Sequence, residues 1–171
     1  EDKMPWITKH LGKEEIKKIN IENLKNIENS GLLKEIDYYL KTYKKFLPDE
    51  IKIYLPDTQG PFDISHLTRG SEIFIDIYDD EEFFLHLMEI STFLYIEVSK
   101  FLKNKISEPL YCGYHSGYAY IGNGGVRVCE DSTTLVSPKH LEIILKYTQK
   151  VLREFNGGFI HFCGKANTLF E

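Results

Sequence analysis

Apolar and polar positions recur with a helical period through the first half of the chain and tighten into short apolar runs in the second. Residues 13–47, rich in Lys, Glu, Ile and Leu, hold the helical spacing, and Asn29-Ser30-Gly31 divides them into two helices. Pro48-Asp49-Glu50 ends that region. Residues 51–55 then alternate as a strand does, with Ile51, Ile53 and Leu55 on one side. A turn-rich loop, Pro56-Asp57-Thr58-Gln59-Gly60-Pro61-Phe62, follows, and short helices run to Tyr78. Asp79-Asp80-Glu81-Glu82 puts acids where a helix amino terminus favours negative charge. Phe84, Leu87, Met88, Leu94, Tyr95, Val98 and Leu102 predict the buried stripe of that helix. Residues 104–125 read as a long Gly/Tyr-rich loop, a kind more often functional than idle. Residues 126–130 predict a second strand. Ser137-Pro138 predicts a helix start, with Ser137 as N-cap, and the helix runs to about Phe155. Asn156-Gly157-Gly158 stops it, and residues 159–162 predict a third strand.

One helix between the strands at 126 and 159 is a βαβ pattern, which implies parallel strands with helices outside. The fold class expected is therefore α/β, a partial (β/α)8 TIM barrel. A complete barrel needs about 250 residues. The expectation is a single incomplete domain over residues 1–171, a central fragment with a helical lead-in at 1–48 and βα units at 49–171. No internal repeat or long linker divides it.

Composition narrows the function classes. The chain has 171 residues and a formal net charge of −5, with Lys and Arg scattered, so no nucleic-acid footprint is present. No apolar run approaches the ~18 residues of a membrane span, and the amino terminus lacks a signal-peptide pattern. The three cysteines, Cys112, Cys129 and Cys163, do not make a disulfide framework and suit a reducing cytoplasm.

The chemistry gathers at the carboxyl ends of the expected strands, the catalytic face of the barrel fold. His161 and Cys163, two apart on a strand, project to one side roughly 7 Å apart and form half of a zinc site; the alternative is a buried His and Cys as core filler. Cys129 lies on the neighbouring strand and is the candidate third ligand. The alternatives are a small core residue at 129, or a third ligand Cys beyond Glu171. Catalytic zinc commonly takes three protein ligands and an open position. Asp57, Asp131 and His115 are the candidate catalytic groups. Gln59, His66, Ser132 and Arg127 are the candidate substrate contacts, with Thr58 beside them. Turn chemistry is the competing role for Asp57 and Asp131. His115 stands among Tyr111, Tyr114, Tyr118 and Tyr120, where it can meet an anionic or aromatic ligand or move protons. His10, His86 and His140 read as structural.

Gln59-Gly60-Pro61-Phe62-Asp63-Ile64 with Arg69-Gly70 resembles the Gly-Pro-Phe segment of the uroporphyrinogen decarboxylase superfamily. Asp79-Asp80-Glu81-Glu82-Phe83 resembles its Asp-Pro-Glu helix start. Glu130-Asp131-Ser132 through Ser137-Pro138, and Ile160-His161-Phe162-Cys163-Gly164, are similar to two of its later segments. The resemblance covers residues 50–171 and implies a (β/α)8 barrel about twice this length. Its methylcobamide:thiol methyltransferase branch carries His-x-Cys at the place of His161 and Cys163, plus a later Cys. There zinc keeps an acceptor thiol deprotonated, and the thiolate attacks a cobalt-bound methyl group. The resemblance thus implies zinc, a small-molecule thiol and a corrinoid-bearing partner protein. True decarboxylases act on a tetrapyrrole, uroporphyrinogen III, without metal, on the way to haem. Their catalytic Tyr would fall near Ser65 or His66, and their signature arginines precede this chain. The rim cations available to hold tetrapyrrole carboxylates are Arg69, Arg127 and Lys165. A third expectation is a non-catalytic degenerate barrel module that only pairs with a partner.

Overall fold

The computed structural model describes residues 7–115 and 119–164. Tyr118 and Lys165, named above, lie outside them. Helix α1 (Lys13–Lys17) and two 3-10 turns lead to α2 (Leu33–Phe46). Gly31, at φ +50°, supplies the left-handed turn before α2. Strand β1 (Thr58–Gln59) is followed by α3 (Pro61–Arg69), α4 (Ile73–Asp79) and the long α5 (Glu81–Ile106). The side chain of Asp80 accepts the Phe83 amide at 3.1 Å, so the acids expected at this helix start do cap it. A hairpin of β2 (Gly113–His115) and β3 (Ala119–Ile121) precedes β4 (Val126–Cys129), α6 (Pro138–Glu154) and β5 (Gly158–His161).

The three strands β1, β4 and β5 form one parallel sheet with β4 in the centre. The chain is thus α/β with parallel strands and helices against the sheet. No closed barrel forms among the described residues; the sheet ends at β1 on one side and β5 on the other. Val126 and Val128 of β4 are fully buried with Tyr95, Leu102, Val151 and Phe155, contributed by α5, α6 and the turn that ends α6. Phe62, Phe84, Met88 and Ile144 centre a second cluster that joins α3 to α6 and, through Ile16, draws in α1. Each such fully buried apolar side chain contributes about 1.5–3 kcal/mol. The register places Arg127 beside Phe159 and Cys129 beside His161. These residues point to the face opposite the valines, since side chains alternate along a strand.

Three expectations are corrected. Residues 51–55 do not form a strand; pairing begins at Thr58, opposite Val128. Pro48 and Pro56 bracket the alternating segment, and Ile51 is exposed while Leu55 alone is buried there, so no continuous face is covered. Residues 104–125 are not merely a loop, because Tyr114 and Tyr120 pair across the hairpin with rings 5.1 Å apart. Ser137 occupies the N-cap position of α6, but its hydroxyl meets His140 Nδ1 at 2.9 Å instead of a helix amide.

Candidate metal centre

The carboxyl-terminal residues of the three strands, Gln59, Cys129 and His161, stand side by side in register. Backbone bonds lock these ends together: the Gly60 amide donates to the Cys129 carbonyl at 2.5 Å, and the Glu130 amide to the His161 carbonyl at 2.8 Å. The chain after β4 turns immediately into a 3-10 helix, Asp131–Leu135. That turn brings the Asp131 carboxylate over the strand ends. One ligand atom each from Cys129, Asp131 and His161 lies within 4.8 Å of the others, the one such group among the described residues. His161 Nε2 is 4.0 Å from Asp131 Oδ1 and 3.3 Å from Cys163 Sγ. The Cys163 amide also donates to Asp131 Oδ1 at 2.5 Å.

A sulfur, an imidazole nitrogen and a carboxylate oxygen are the donor types zinc prefers, and ligand atoms of tetrahedral zinc sit about 3.5 Å apart. The set here is slightly wider than that, and the residues present fit the ion. The cluster differs from the expected trio, since Asp131 joins Cys129 and His161, while Cys163 stands exposed beside the imidazole. Burial, followed by the neighbouring Asp131 charge, pushes the Cys129 thiol up to about 12. A bound cation would displace that proton and take the thiolate.

Two carboxylates that sequence reading passed over hold this arrangement. Asp63, on α3 and 4% exposed, accepts the Asp131 amide on Oδ2 at 2.9 Å and the Ser132 amide on Oδ1 at 2.8 Å. Glu130, 1% exposed, returns the contact. Its Oε2 accepts the amides of Phe62 and Asp63 at 3.2 and 3.3 Å, and its Oε1 accepts the Thr148 hydroxyl at 2.9 Å. Each carboxylate therefore satisfies amides left open at the start of the other's helix. Burial pushes the Glu130 carboxyl up to about 8, against the Thr148 and amide bonds that favour its charge. Gly60 makes the approach possible: a Cβ there would overlap the Glu130 carboxyl and lie 2.6 Å from Val128 Cγ1. The signal for Glu130 was present in the sequence, because alternation puts it on the valine side of β4, facing the helices.

The other candidates scatter. Asp57 precedes β1 and forms an ion pair with Arg127, whose guanidinium this carboxylate holds above its ordinary pKa. Thr58 donates to the Arg127 carbonyl at 3.3 Å. Gln59 stays at the strand ends, next to Cys129. His66 Nδ1 meets Ser132 Oγ at 2.8 Å while its ring packs on Phe74, so this pair ties α3 to the loop that carries Asp131. His115 is not in a rim loop. It ends β2, is 5% exposed, and packs its ring 5.2 Å from that of Phe159, two residues before His161. Burial lowers its pKa, and its Nε2 has no hydrogen-bond partner among the described residues. Arg69 is neutralised by Asp76, 2.7 Å away, and by Glu72. No helix of the described residues is long and apolar enough to cross a membrane. No family model, curated protein or solved structure matches this chain.

Proposed function

We propose that this chain carries the zinc centre of a uroporphyrinogen decarboxylase-superfamily enzyme of the methyltransferase type, which methylates a small thiol from a methyl-corrinoid on a partner protein. In this reading the three parallel strands are consecutive staves of a (β/α)8 barrel, and their carboxyl ends form its catalytic rim. The observation that carries the proposal is the convergence of Cys129, Asp131 and His161 donor atoms within 4.8 Å at those ends. Cys129, Asp131 and His161 would hold the ion. When bound, zinc supplies a Lewis acid that keeps an acceptor thiol ionised near neutral pH. That thiolate would take the methyl group of the partner's methyl-corrinoid, an S–C bond forming as the Co–C bond breaks and leaves its electron pair on cobalt. Asp131 keeps the His161 imidazole and the Cys163 amide together, and Gln59 flanks the site where the thiol would enter. The free cysteines fit a reducing compartment, the cytoplasm.

The same geometry weighs against decarboxylation. A tetrapyrrole bearing several carboxylates needs unpaired cations, yet Arg127 and Arg69 both already face carboxylates. The test is metal content and cobalt(II) uptake by the parent protein beside its Cys129→Ser and His161→Ala variants. About one equivalent of metal, lost in both variants, is expected, followed by thiol-dependent demethylation of methylcobalamin. A metal-free parent that takes up no cobalt overturns the reading. Metal without methyl transfer overturns the reaction but keeps the centre.

A further inference from the structure

The metal reading leaves open what fixes Asp131, a half-exposed side chain on a short 3-10 turn, within reach of two strand residues. We propose that Asp63 is the positioning residue of this centre, its carboxylate orienting the Asp131 ligand by gripping the two amides that begin that turn. The inference rests on the metal reading above and adds how the donor set is held. Both Asp63 oxygens are committed, one to each amide, at 2.9 and 2.8 Å. The grip therefore constrains the rotation of the peptide units on either side of the Asp131 Cα. Asp63 is itself anchored, since its own amide donates to Glu130, the residue between Cys129 and Asp131. Two of the three donors thus flank a residue bonded back to α3, and α3 is seated in the core by Phe62. The remaining restraints are different in kind. The Thr133 hydroxyl bonds the Glu130 carbonyl at 2.5 Å and Thr134 the Asp131 carbonyl at 2.9 Å, which shape the turn. His66 holds the Ser132 side chain at 2.8 Å, and the Cys163 amide meets Asp131 Oδ1 from the β5 side, but neither grips the amides on both sides of Asp131 as Asp63 does. Outer partners of metal ligands are commonly worth 10–100-fold in affinity.

Asp63→Asn tests this. One of its two acceptors becomes an NH2 facing an amide N–H, so the grip is lost at nearly constant volume. Cobalt(II) is titrated into the full chain and followed by absorbance, with wild type, Asp63→Asn and Val151→Ala compared. Val151 is buried in the other cluster and makes none of the hydrogen bonds to Asp63, Asp131 or Ser132, so its truncation lowers stability without touching the grip. The expected result is at least a tenfold weaker cobalt affinity in Asp63→Asn, with wild-type affinity in Val151→Ala. The sulfur-to-cobalt band should persist in Asp63→Asn at saturating metal, because Cys129 is untouched. Wild-type affinity in Asp63→Asn, or equal weakening in both variants, overturns the role of Asp63 and leaves the metal centre standing. No cobalt binding by wild type refutes the metal reading, and the positioning role with it. Should Asp63→Asn fail to fold, Asp63→Glu keeps the charge at a changed reach, and the same tenfold weakening is expected.

Discussion

Gly60→Ala turns an ordinarily favourable substitution into a costly one. Gly60 has φ −72° and ψ 174°, extended backbone that any residue adopts. On backbone grounds alone, alanine there would stabilise the fold by about 0.4–1 kcal/mol, through the unfolded chain. The surroundings reverse the sign. The new methyl meets the Glu130 carboxyl and Val128 Cγ1, both buried and neither able to swing into solvent. Overpacking of this kind costs about 1–3 kcal/mol. Pushing Glu130 aside also strips an acceptor from the Phe62 and Asp63 amides, which costs about 1–3 kcal/mol more. The net expectation is a loss of about 1–5.5 kcal/mol, or roughly 2–20 °C in Tm for a chain of this size. Urea and thermal unfolding followed by circular dichroism would measure it. Gly122→Ala, whose nearest neighbour would be Tyr120 Cε1 at 3.7 Å, serves as control and should stay within about 0.5 kcal/mol of wild type. A Gly60→Ala protein as stable as wild type, or more so, would refute the close approach of Glu130 to the start of α3.

Other perturbations have equally definite outcomes. Lys103 is 1% exposed and its ammonium donates to Glu108 and to the carbonyls of Pro109 and Cys112 at 2.9–3.1 Å. Lys103→Met should cost about 3–5 kcal/mol in a urea titration, and adding Glu108→Gln should recover part of it; a single variant within 1 kcal/mol of wild type contradicts the ion pair's burial. Tyr95→Phe removes a 2.6 Å bond from the phenol to the Arg127 carbonyl on β4 and should cost about 1–2 kcal/mol by the same assay. His115 titrates lower in the fold than in the unfolded chain because burial opposes its charge, while the nearby Glu108 favours that charge and Lys103 and Arg127 oppose it. Its contribution is fully present above the unfolded pKa of about 6.5 and is lost as pH falls from there toward the folded value, by at most about 1.4 kcal/mol per pH unit. His115→Phe should flatten the stability profile just below pH ~6.5; an unchanged slope there assigns it to other groups.

What could be read without the structure follows from how locally each feature is encoded. Helix α6 announces itself through Ser137-Pro138 and Asn156-Gly157, signals that act within one turn. The strands at Val126 and Gly158 are short apolar runs beside turn formers, and both form nearly where expected. The alternation at 51–55 yields no strand, because a period of two states only that a strand would have a face, not that a partner covers it. Pairing with β4 decided the matter in favour of Thr58 and Gln59, a polar pair with no alternation to read. The β2–β3 pairing was hidden for a related reason: its Tyr114–Tyr120 contact depends on a strand register that no local motif states.

The candidate centre divides in the same way. Sequence alone determined that a His stands at the end of one strand and a Cys at the end of its neighbour, and that Asp131 comes two residues later, since these are matters of order and period; Cys163, expected on the strand with His161, falls just past its end. Tertiary structure decided which donors meet. The parallel register set Cys129 beside His161, and the 3-10 turn after β4 carried Asp131 to them. It also decided what Asp63 and Glu130 do, because the amides that each carboxylate accepts lie 67 to 69 residues away in the chain. Buried carboxylates must find donors wherever packing brings them, and only packing brings the start of α3 against the end of β4.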